Sequence, residues 1–325
     1  MLTHRTVMIA TLALLVAALG ADAQQAARVY RIGWLSGYSV DEPFRQGLRS
    51  LGYVEGQNLV IEARFTQGKI DRYPALAAEL VALRVDVIVC PTTLATRAAR
   101  EATRTIPIVM AGAANPLAEG LIASLARPGG NVTGAILQTA DVTQKRLELL
   151  KDALPGLRRV AAFYAEETRT FSVIDQWLRD SQAAAQQLGL ALEPVDLPSD
   201  PAPWESVFDG VTRRGIGAAV IVEAGAYHER RVRLAQLALK YRLAVMFPFT
   251  EQAEAGGLMS YGADVNEVHH RAASIVDRIL KGARPEDLPV EQPTRFPFVV
   301  NLKTAKALGL TLPPSVLARA SQLIE

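Results

Sequence analysis

The sequence predicts an α/β protein of two lobes, each built on a parallel sheet. Three observations carry that expectation. Short apolar runs alternate with longer stretches at helical spacing, an order that winds a parallel sheet through right-handed crossovers. The chain has 325 residues, more than a single core usually organises. Hydrophobic residues make up 50% and charged residues 21%, which suits well-packed cores and argues against disorder.

The amino terminus stands apart. His4 and Arg5 precede the apolar segment Val7 to Leu19, and Ala21-Asp22-Ala23 follows. A positive region, an apolar region and a small-residue cleavage site predict a secretory signal peptide over residues 1–23, cut after Ala23. The segment is shorter than the roughly 20 apolar residues of a transmembrane helix. Cys90 is the sole cysteine, so no internal disulfide can form, and no cysteine follows the apolar region to carry a lipid. At the end of an apolar strand it reads as a small buried hydrophobe.

The first lobe opens with a strand from Tyr30 to Leu35, the loop Ser36-Gly37-Tyr38-Ser39, and a helix from about Glu42 or Pro43 to Leu51. Gly52 and Gly56 mark a turn before a second strand, Leu59 to Phe65. Ile70 to Leu83 is amphipathic, with Tyr73, Leu76, Ala77, Leu80 and Leu83 near one face. Val85 to Cys90 is a third strand and Leu94 to Thr103 a third helix. Ile106 to Met110 is a strand buried on both faces, opening into the small-residue loop Ala111 to Pro116 and a helix from about Leu117. Pro128-Gly129-Gly130-Asn131 turns the chain into the last strand of the lobe, Val132 to Ile136.

The second lobe repeats the scheme. Helices are expected at Val142 to Leu154, Phe171 to Leu188 (stopped by Gly189), Pro203 to Arg214 and Tyr227 to Tyr241. Strands are expected at Val160 to Tyr164, Leu190 to Asp196, Ala218 to Glu223 and Ala244 to Phe247. The glycine-flanked strand Gly256 to Gly262 suits a segment that re-enters the first lobe and flexes there, followed by a helix from Asn266 to Leu280. Phe296 to Asn301, Leu302 to Leu308 and Pro314 to Ile324 read as strand, helix and helix. Lobe one is expected over residues 24–137 with 262–290 returning to it, and lobe two over 138–261 with 291–325.

Several long motifs resemble one family. They are FRQGLRSLGYVEGQN from Phe44, LAAEL from Leu76, SLARPGGNVTG from Ser124, KRLELL from Lys145, EAGGLMSYG from Glu254 and NLKTAKALGL from Asn301. In this order they resemble the periplasmic substrate-binding proteins of ABC transporters, in the branch that includes tryptophan and other aromatic amino-acid binders. The resemblance covers essentially the whole mature chain. It implies a type I periplasmic binding-protein fold: two Rossmann-like lobes joined by a crossing hinge. The lobes close on an amino acid or carboxylate and dock on ABC permease membrane subunits served by separate ATPase subunits. It further implies a periplasmic monomer without cofactor or catalytic residue. Many relatives carry Gly-Asp-Pro where this chain has Ala114-Asn115-Pro116, so a carboxylate that can meet a ligand ammonium is missing there.

Binding of this kind needs hydrogen-bonding groups and apolar surfaces just beyond strand ends. Thr92 and Thr93 start a helix, where hydroxyls and free N–H groups receive a carboxylate or simply cap the helix. Ser36 and Tyr38 follow the first strand, Tyr38 offering a ring to stack and a hydroxyl to bond. Ala113 lets a ligand approach the backbone. Asn115 either meets the ligand or makes an Asx turn before Pro116. From the second lobe come Tyr164, Glu167, Glu223 and Phe247; Glu223 can pair with a ligand cation, cap a helix or bridge an arginine.

Other functions lack their signatures. There is no Gly-x-Ser-x-Gly elbow, no His-Glu-x-x-His and no Walker loop. His269 and His270 are adjacent and read as exposed helix residues rather than metal ligands. Gly215-Ile216-Gly217 precedes a strand instead of following one, so it is no dinucleotide fingerprint. A net charge of +2 does not argue for nucleic acid. A ligand-presenting component of a signalling receptor is the alternative to transport, since both begin with the same closure.

Overall fold

The structure is a computed structural model that describes residues 28–137, 140–169 and 172–325. The expected signal peptide lies outside the described residues.

The first lobe contains β1 (Tyr30–Ser36), α1 (Glu42–Ser50), β2 (Leu59–Phe65), α2 (Tyr73–Ala82), β3 (Val87–Cys90), α3 (Thr93–Ala102), β4 (Ile108–Ala114) and β5 (Val132–Leu137). Its five strands are all parallel, in the order β2-β1-β3-β4-β5. Central strands β3 and β4 bury both faces, as their unbroken apolar runs require. One face packs on α2 and α3 through Leu76, Leu80, Ala95 and Ala99. The other packs on α1 through Phe44 and Leu48, and on residues contributed from far along the chain, Ala272, Ile275, Val276 and Ile279.

The second lobe contains α4 (Ala140–Ala153), β6 (Arg159–Tyr164), α5 (Ser172–Gln187), β7 (Ala191–Asp196), α6 (Trp204–Arg213), β8 (Ala218–Ile221), α7 (Gly225–Glu229), α8 (Arg231–Lys240), β9 (Ala244–Phe247), α9 (Thr250–Glu254) and β10 (Met259–Tyr261). The chain then leaves to lay α10 (Val265–Leu280) on lobe one, with Asp264 as its N-cap accepting from the N–H groups of Asn266 and Glu267. It returns to add β11 (Phe298–Asn301), α11 (Leu302–Leu308), α12 (Pro314–Leu317) and β12 (Gln322–Ile324). The seven strands run β12-β11-β10-β9-β8-β6-β7, parallel except for the β10–β11 pair.

The chain therefore passes between the lobes after β5, before α10 and before β11. The last two passages are tied together by the Asp264 N–H to Arg295 carbonyl bond of 3.2 Å. The Glu291 N–H also donates to the Gly134 carbonyl at 2.9 Å, fastening the returning strand to β5. At Gly262 an added Cβ would overlap the Pro248 carbonyl and come within 2.8 Å of Arg146 Nη2, so only glycine fits there.

Several elements depart from their sequence expectation. The small-residue loop after Met110 is strand: β4 runs on to Ala114 because Ala111, Ala113 and Ala114 pair with β5, with a bulge at Gly112 (φ 123°). No helix forms from Leu117; Gly120 at φ 63° and bonds from Leu121 N–H to Pro116 O and from Ala123 N–H to Pro128 O hold a compact turn instead. The expected Tyr227–Tyr241 helix is broken at Arg230 into α7 and α8. The strand containing Met259 stays in lobe two, hydrogen-bonded to β9 and β11, and the crossing begins only after it. The expected helix to Ile324 stops at Leu317, since residues 322–324 pair with β11.

Candidate functional site

Both sheets share a topological feature that places the site. In lobe one the chain leaves β1 and β3 on opposite faces of adjacent strands, and in lobe two β6 and β8 do the same. Ligands bind at such switch points, beyond the carboxyl ends of the strands. The two switch points face each other across a cavity of about 260 Å³.

Lobe one supplies the loop after β1. Ser36 is buried and its Oγ donates to the Ser39 carbonyl at 2.9 Å, where Trp34 Nε1 also donates at 2.7 Å. That pair of bonds holds Tyr38 over the cavity. The Tyr38 hydroxyl accepts from Arg230 Nη1 at 2.6 Å, and the guanidinium lies 4.9 Å from the ring centroid. Ser39 Oγ donates to Glu229 at 3.2 Å, so this loop touches lobe two twice.

Thr92 and Thr93 line the cavity at the start of α3. Thr92 caps the helix by accepting from the Ala95 N–H. The Thr93 hydroxyl bonds both the carbonyl and the N–H of Ala114, at 3.0 and 2.9 Å, bracing α3 against the end of β4. Gly112 reaches the wall because its missing Cβ would sit 3.3 Å from the Pro91 carbonyl.

From lobe two, Glu223 lines the wall just beyond β8 and pairs with Arg146 at 2.6 Å. Arg146 is 2% exposed at its side chain and its Nε donates to the Tyr261 carbonyl at 2.6 Å. Trp177, Ile174 and Phe249 give this wall its apolar surface.

Among the sequence candidates, Ser36, Tyr38, Thr92, Thr93 and Glu223 therefore meet at the cavity. Four others do not line it. Ala113 is wholly buried in the core beneath β4. Asn115, at φ 43°, accepts from the Ala118 N–H at 3.4 Å in an Asx-type turn. Tyr164 donates to Glu166 at 2.7 Å, its hydroxyl pKa raised by burial and by that carboxylate. Phe247 fills the core, its ring occupying the space beside Gly257. The side chain of Glu167 lies outside the described residues. Cys90 is buried at the end of β3, with burial pushing its thiol pKa up.

Sequence reasoning missed one corner of the cavity. His269 is 5% exposed and lines the cavity; only its neighbour His270 faces solvent. The reason is α10, whose first turns rest on the mouth of lobe one, a placement no local pattern announces. Asp41, His228, Glu229 and Phe249 line the same cavity. Phe249 was accessible to the rule that strand-end residues line the crevice, being two residues beyond β9.

This corner has unusual electrostatics. Burial, with the Glu229 and Glu251 carboxylates, raises the Asp41 pKa to about 7. Burial, with Arg231, lowers that of His228 to about 4; burial, with His228, lowers that of His269 to about 4. The 3.5 Å contact between His269 Nε2 and Asp41 is therefore made by a neutral imidazole at neutral pH and is no salt bridge. Among the described residues no group of three or more His, Cys, Asp or Glu is placed to hold a metal ion.

The comparisons with known proteins agree with this fold. A solved domain from Streptococcus pneumoniae in complex with L-Trp is 26% identical, with a TM-score of 0.81, over 91% of this chain and 100% of that one. A conserved domain protein from Vibrio cholerae is 25% identical, with a TM-score of 0.82, over the same shares. The tyrosine-binding protein of Clostridioides difficile is 23% identical over 285 residues, covering 82% of this chain and 75% of that protein. The architecture is the type I periplasmic binding-protein fold. The model of the ABC transporter substrate binding protein family matches residues 36–324, and the chain belongs to that family.

Proposed function

We propose that the protein is the extracytoplasmic solute-binding subunit of an ABC importer, closing on an amino acid or carboxylate with an aromatic or apolar body. A membrane permease then receives the solute, with ATP hydrolysed on separate subunits. The observation that carries this reading is the cavity itself, formed where the switch points of two lobes converge. Its volume of about 260 Å³ lies near the low end for small-molecule pockets, ~300 Å³, and suits a solute of amino-acid size. Trp177, Phe249, Tyr73 and Val222 offer apolar surface to the body of the solute. The start of α3 offers the Thr92 hydroxyl and a positive helix end to a carboxylate.

The solutes of the relatives support the same class: L-Trp occupies the Streptococcus domain, and the Clostridioides protein is named for tyrosine. Binding works by population shift, since a solute that touches both walls gains contacts only in the closed form. Arg230 on Tyr38 and Glu229 on Ser39 add closed-form contacts of the protein's own.

A thermal-shift screen of the purified protein against amino acids, aromatic acids, dicarboxylates, sugars and nucleosides tests the reading. A solute specific for the folded state raises the melting temperature. The expected result is a rise confined to amino acids or carboxylates. A rise only with sugars or nucleosides overturns the solute class.

A further inference from the structure

We infer that β2 is a self-recognition edge: two copies of this chain pair antiparallel along it and join their first lobes in one continuous sheet, in place of the monomer that the family resemblance implies. The two sheets end in four outer strands, β2, β5, β7 and β12. Among the described residues β5 is covered by the returning segment, since the Ile136 N–H donates to the Glu291 carbonyl at 3.0 Å and the Glu291 N–H to the Gly134 carbonyl at 2.9 Å. In β7 the N–H groups of Ala191 and, just beyond it, Leu197 face β6, which turns Pro194 outward, where an added strand would need an N–H. β12 is three residues long. β2 is seven residues long and carries no proline.

Hydrogen bonds fix which groups of β2 face outward. The Asn58 carbonyl and the Thr66 N–H bond β1, at 3.0 and 3.1 Å, so the even-numbered residues between them face β1 as well. Ile61, Ala63 and Phe65 therefore turn their N–H and carbonyl groups to the outer edge. Two carbonyls already mark that side: that of Leu59 accepts from the Gly56 N–H at 3.0 Å, and that of Ala63 from Arg64 Nη1 at 2.9 Å. The side chains alternate too. Ile61, Ala63 and Phe65 lie on the face that packs toward α1 and α10, whereas Glu62 and Arg64 lie on the face of α2, where Arg64 Nε meets Glu79 at 2.6 Å. Glu62 and Arg64 keep 25% and 26% of their side chains exposed. Leu51 and Val54, also exposed, extend the apolar surface onto the turn that leads into β2.

A twofold axis at Ala63 sets Ala63 against Ala63 and Ile61 against Phe65 of the second copy, and each of these pairs exchanges both N–H···O bonds. Between them Glu62 falls directly opposite Arg64 of the second copy, twice over by symmetry, where antiparallel side chains come closest. Moving the axis by one residue sets Glu62 against Glu62 or Arg64 against Arg64. Of these three registers only the first satisfies ladder, apolar face and charge together. The Arg64 guanidinium, which covers the Ala63 carbonyl in the single chain, turns to Glu62 of the second copy as the Ala63 N–H of that copy takes the carbonyl over. β2 stands at the opposite end of its sheet from β5, after which the chain crosses between lobes, so pairing leaves the cleft free to open and close.

Sedimentation velocity of the purified protein over about 1 to 200 µM tests the inference, because a single-strand interface is small and associates in the micromolar range. The wild type is expected to pass from monomer to dimer across it. Ala63→Pro removes an outward N–H without touching a bond to β1, and is expected to raise the dissociation constant about tenfold or more. Glu62→Arg sets arginines opposite each other and Arg64→Glu sets glutamates opposite each other, so each variant alone is expected to be monomeric. An equimolar mixture of these two restores both opposite-charge pairs and is expected to dimerise, a result that no loss of folding can imitate. Should Ala63→Pro not fold, the charge variants decide alone. A wild type that stays monomeric throughout, a dimer that survives Ala63→Pro or either charge variant, or a mixture that stays monomeric overturns the inference. None of these readouts involves the solute, so the solute-binding function stands or falls separately.

Discussion

Arg146 holds the second wall of the cleft in place. Its guanidinium joins Glu223, at the cavity, to the Tyr261 carbonyl, at the start of a crossing segment, and lies beside Gly262, where the Pro248 carbonyl already excludes any side chain. Removing one member of a buried pair leaves the other charge without compensation, at a cost of about 3 kcal/mol or more. Arg146→Met is therefore expected to lower stability by that amount in urea denaturation followed by circular dichroism. The double variant Arg146→Met/Glu223→Leu recovers most of the loss, since it removes both charges. Asp41 makes the opposite prediction. Its folded pKa of about 7 lies above the ordinary 3.8, so the folded state binds the extra proton between those values. Its contribution to stability is present at low pH and is lost as pH rises through about 7. Asp41→Asn should raise the melting temperature of the ligand-free protein at about pH 7.5, and the gain should shrink as pH falls toward 4. His228 and His269, with pKa values lowered to about 4, act in the reverse sense and gain stability as pH rises from about 4 to 6.5.

At the scale of elements, the β4–β5 pair sets the floor of the first lobe's crevice. Gly134 has φ 139°, and an added Cβ would overlap the backbone N and O of Met110 and lie 2.7 Å from its Cα. Gly134→Ala should therefore cost more than about 3 kcal/mol and abolish soluble expression, a far larger effect than a surface substitution. The cap of α3 is a milder device: Thr92→Ala removes the bond to the Ala95 N–H, with an expected loss of about 1 kcal/mol in denaturant unfolding. Element type was readable where periodicity was long, as in α10 and the buried runs of β3 and β8. It was misread where small residues carry no pattern. Ala111 to Ala114 look like a loop because neither volume nor polarity marks them, yet pairing with β5 makes them strand. Residues 322–324 look helical by extension from Pro314, and only the open edge of β11 recruits them as a strand. Gly52 and Gly189 did mark helix ends correctly, with φ of 89° and 67°.

Across the whole molecule, the β1 loop of one lobe rests on the α7–α8 junction of the other. The Arg230 contact with Tyr38 combines a hydrogen bond with a cation–ring interaction, together worth roughly 1–2 kcal/mol in the closed form. Arg230→Ala should shift the ligand-free protein toward the open form, read as a larger radius of gyration in small-angle X-ray scattering. It should weaken solute binding about tenfold, because the solute must then supply that energy itself. The alternation of strands and helices, the doubling into two lobes and the candidates at the ends of β1, β3 and β8 were determined by the sequence alone. Each is a matter of local periodicity or of position just past an apolar run. The tertiary structure alone decided the rest. Asn115, Tyr164 and Phe247 also sit at or near strand ends, but turn geometry, a neighbouring carboxylate or the core claims them. Asp41, Glu229 and His269 share no local pattern and converge because α10 crosses back onto lobe one and the cleft folds α7 against the β1 loop. Their chemistry depends on burial and on charges distant in the chain, which only the packed molecule supplies.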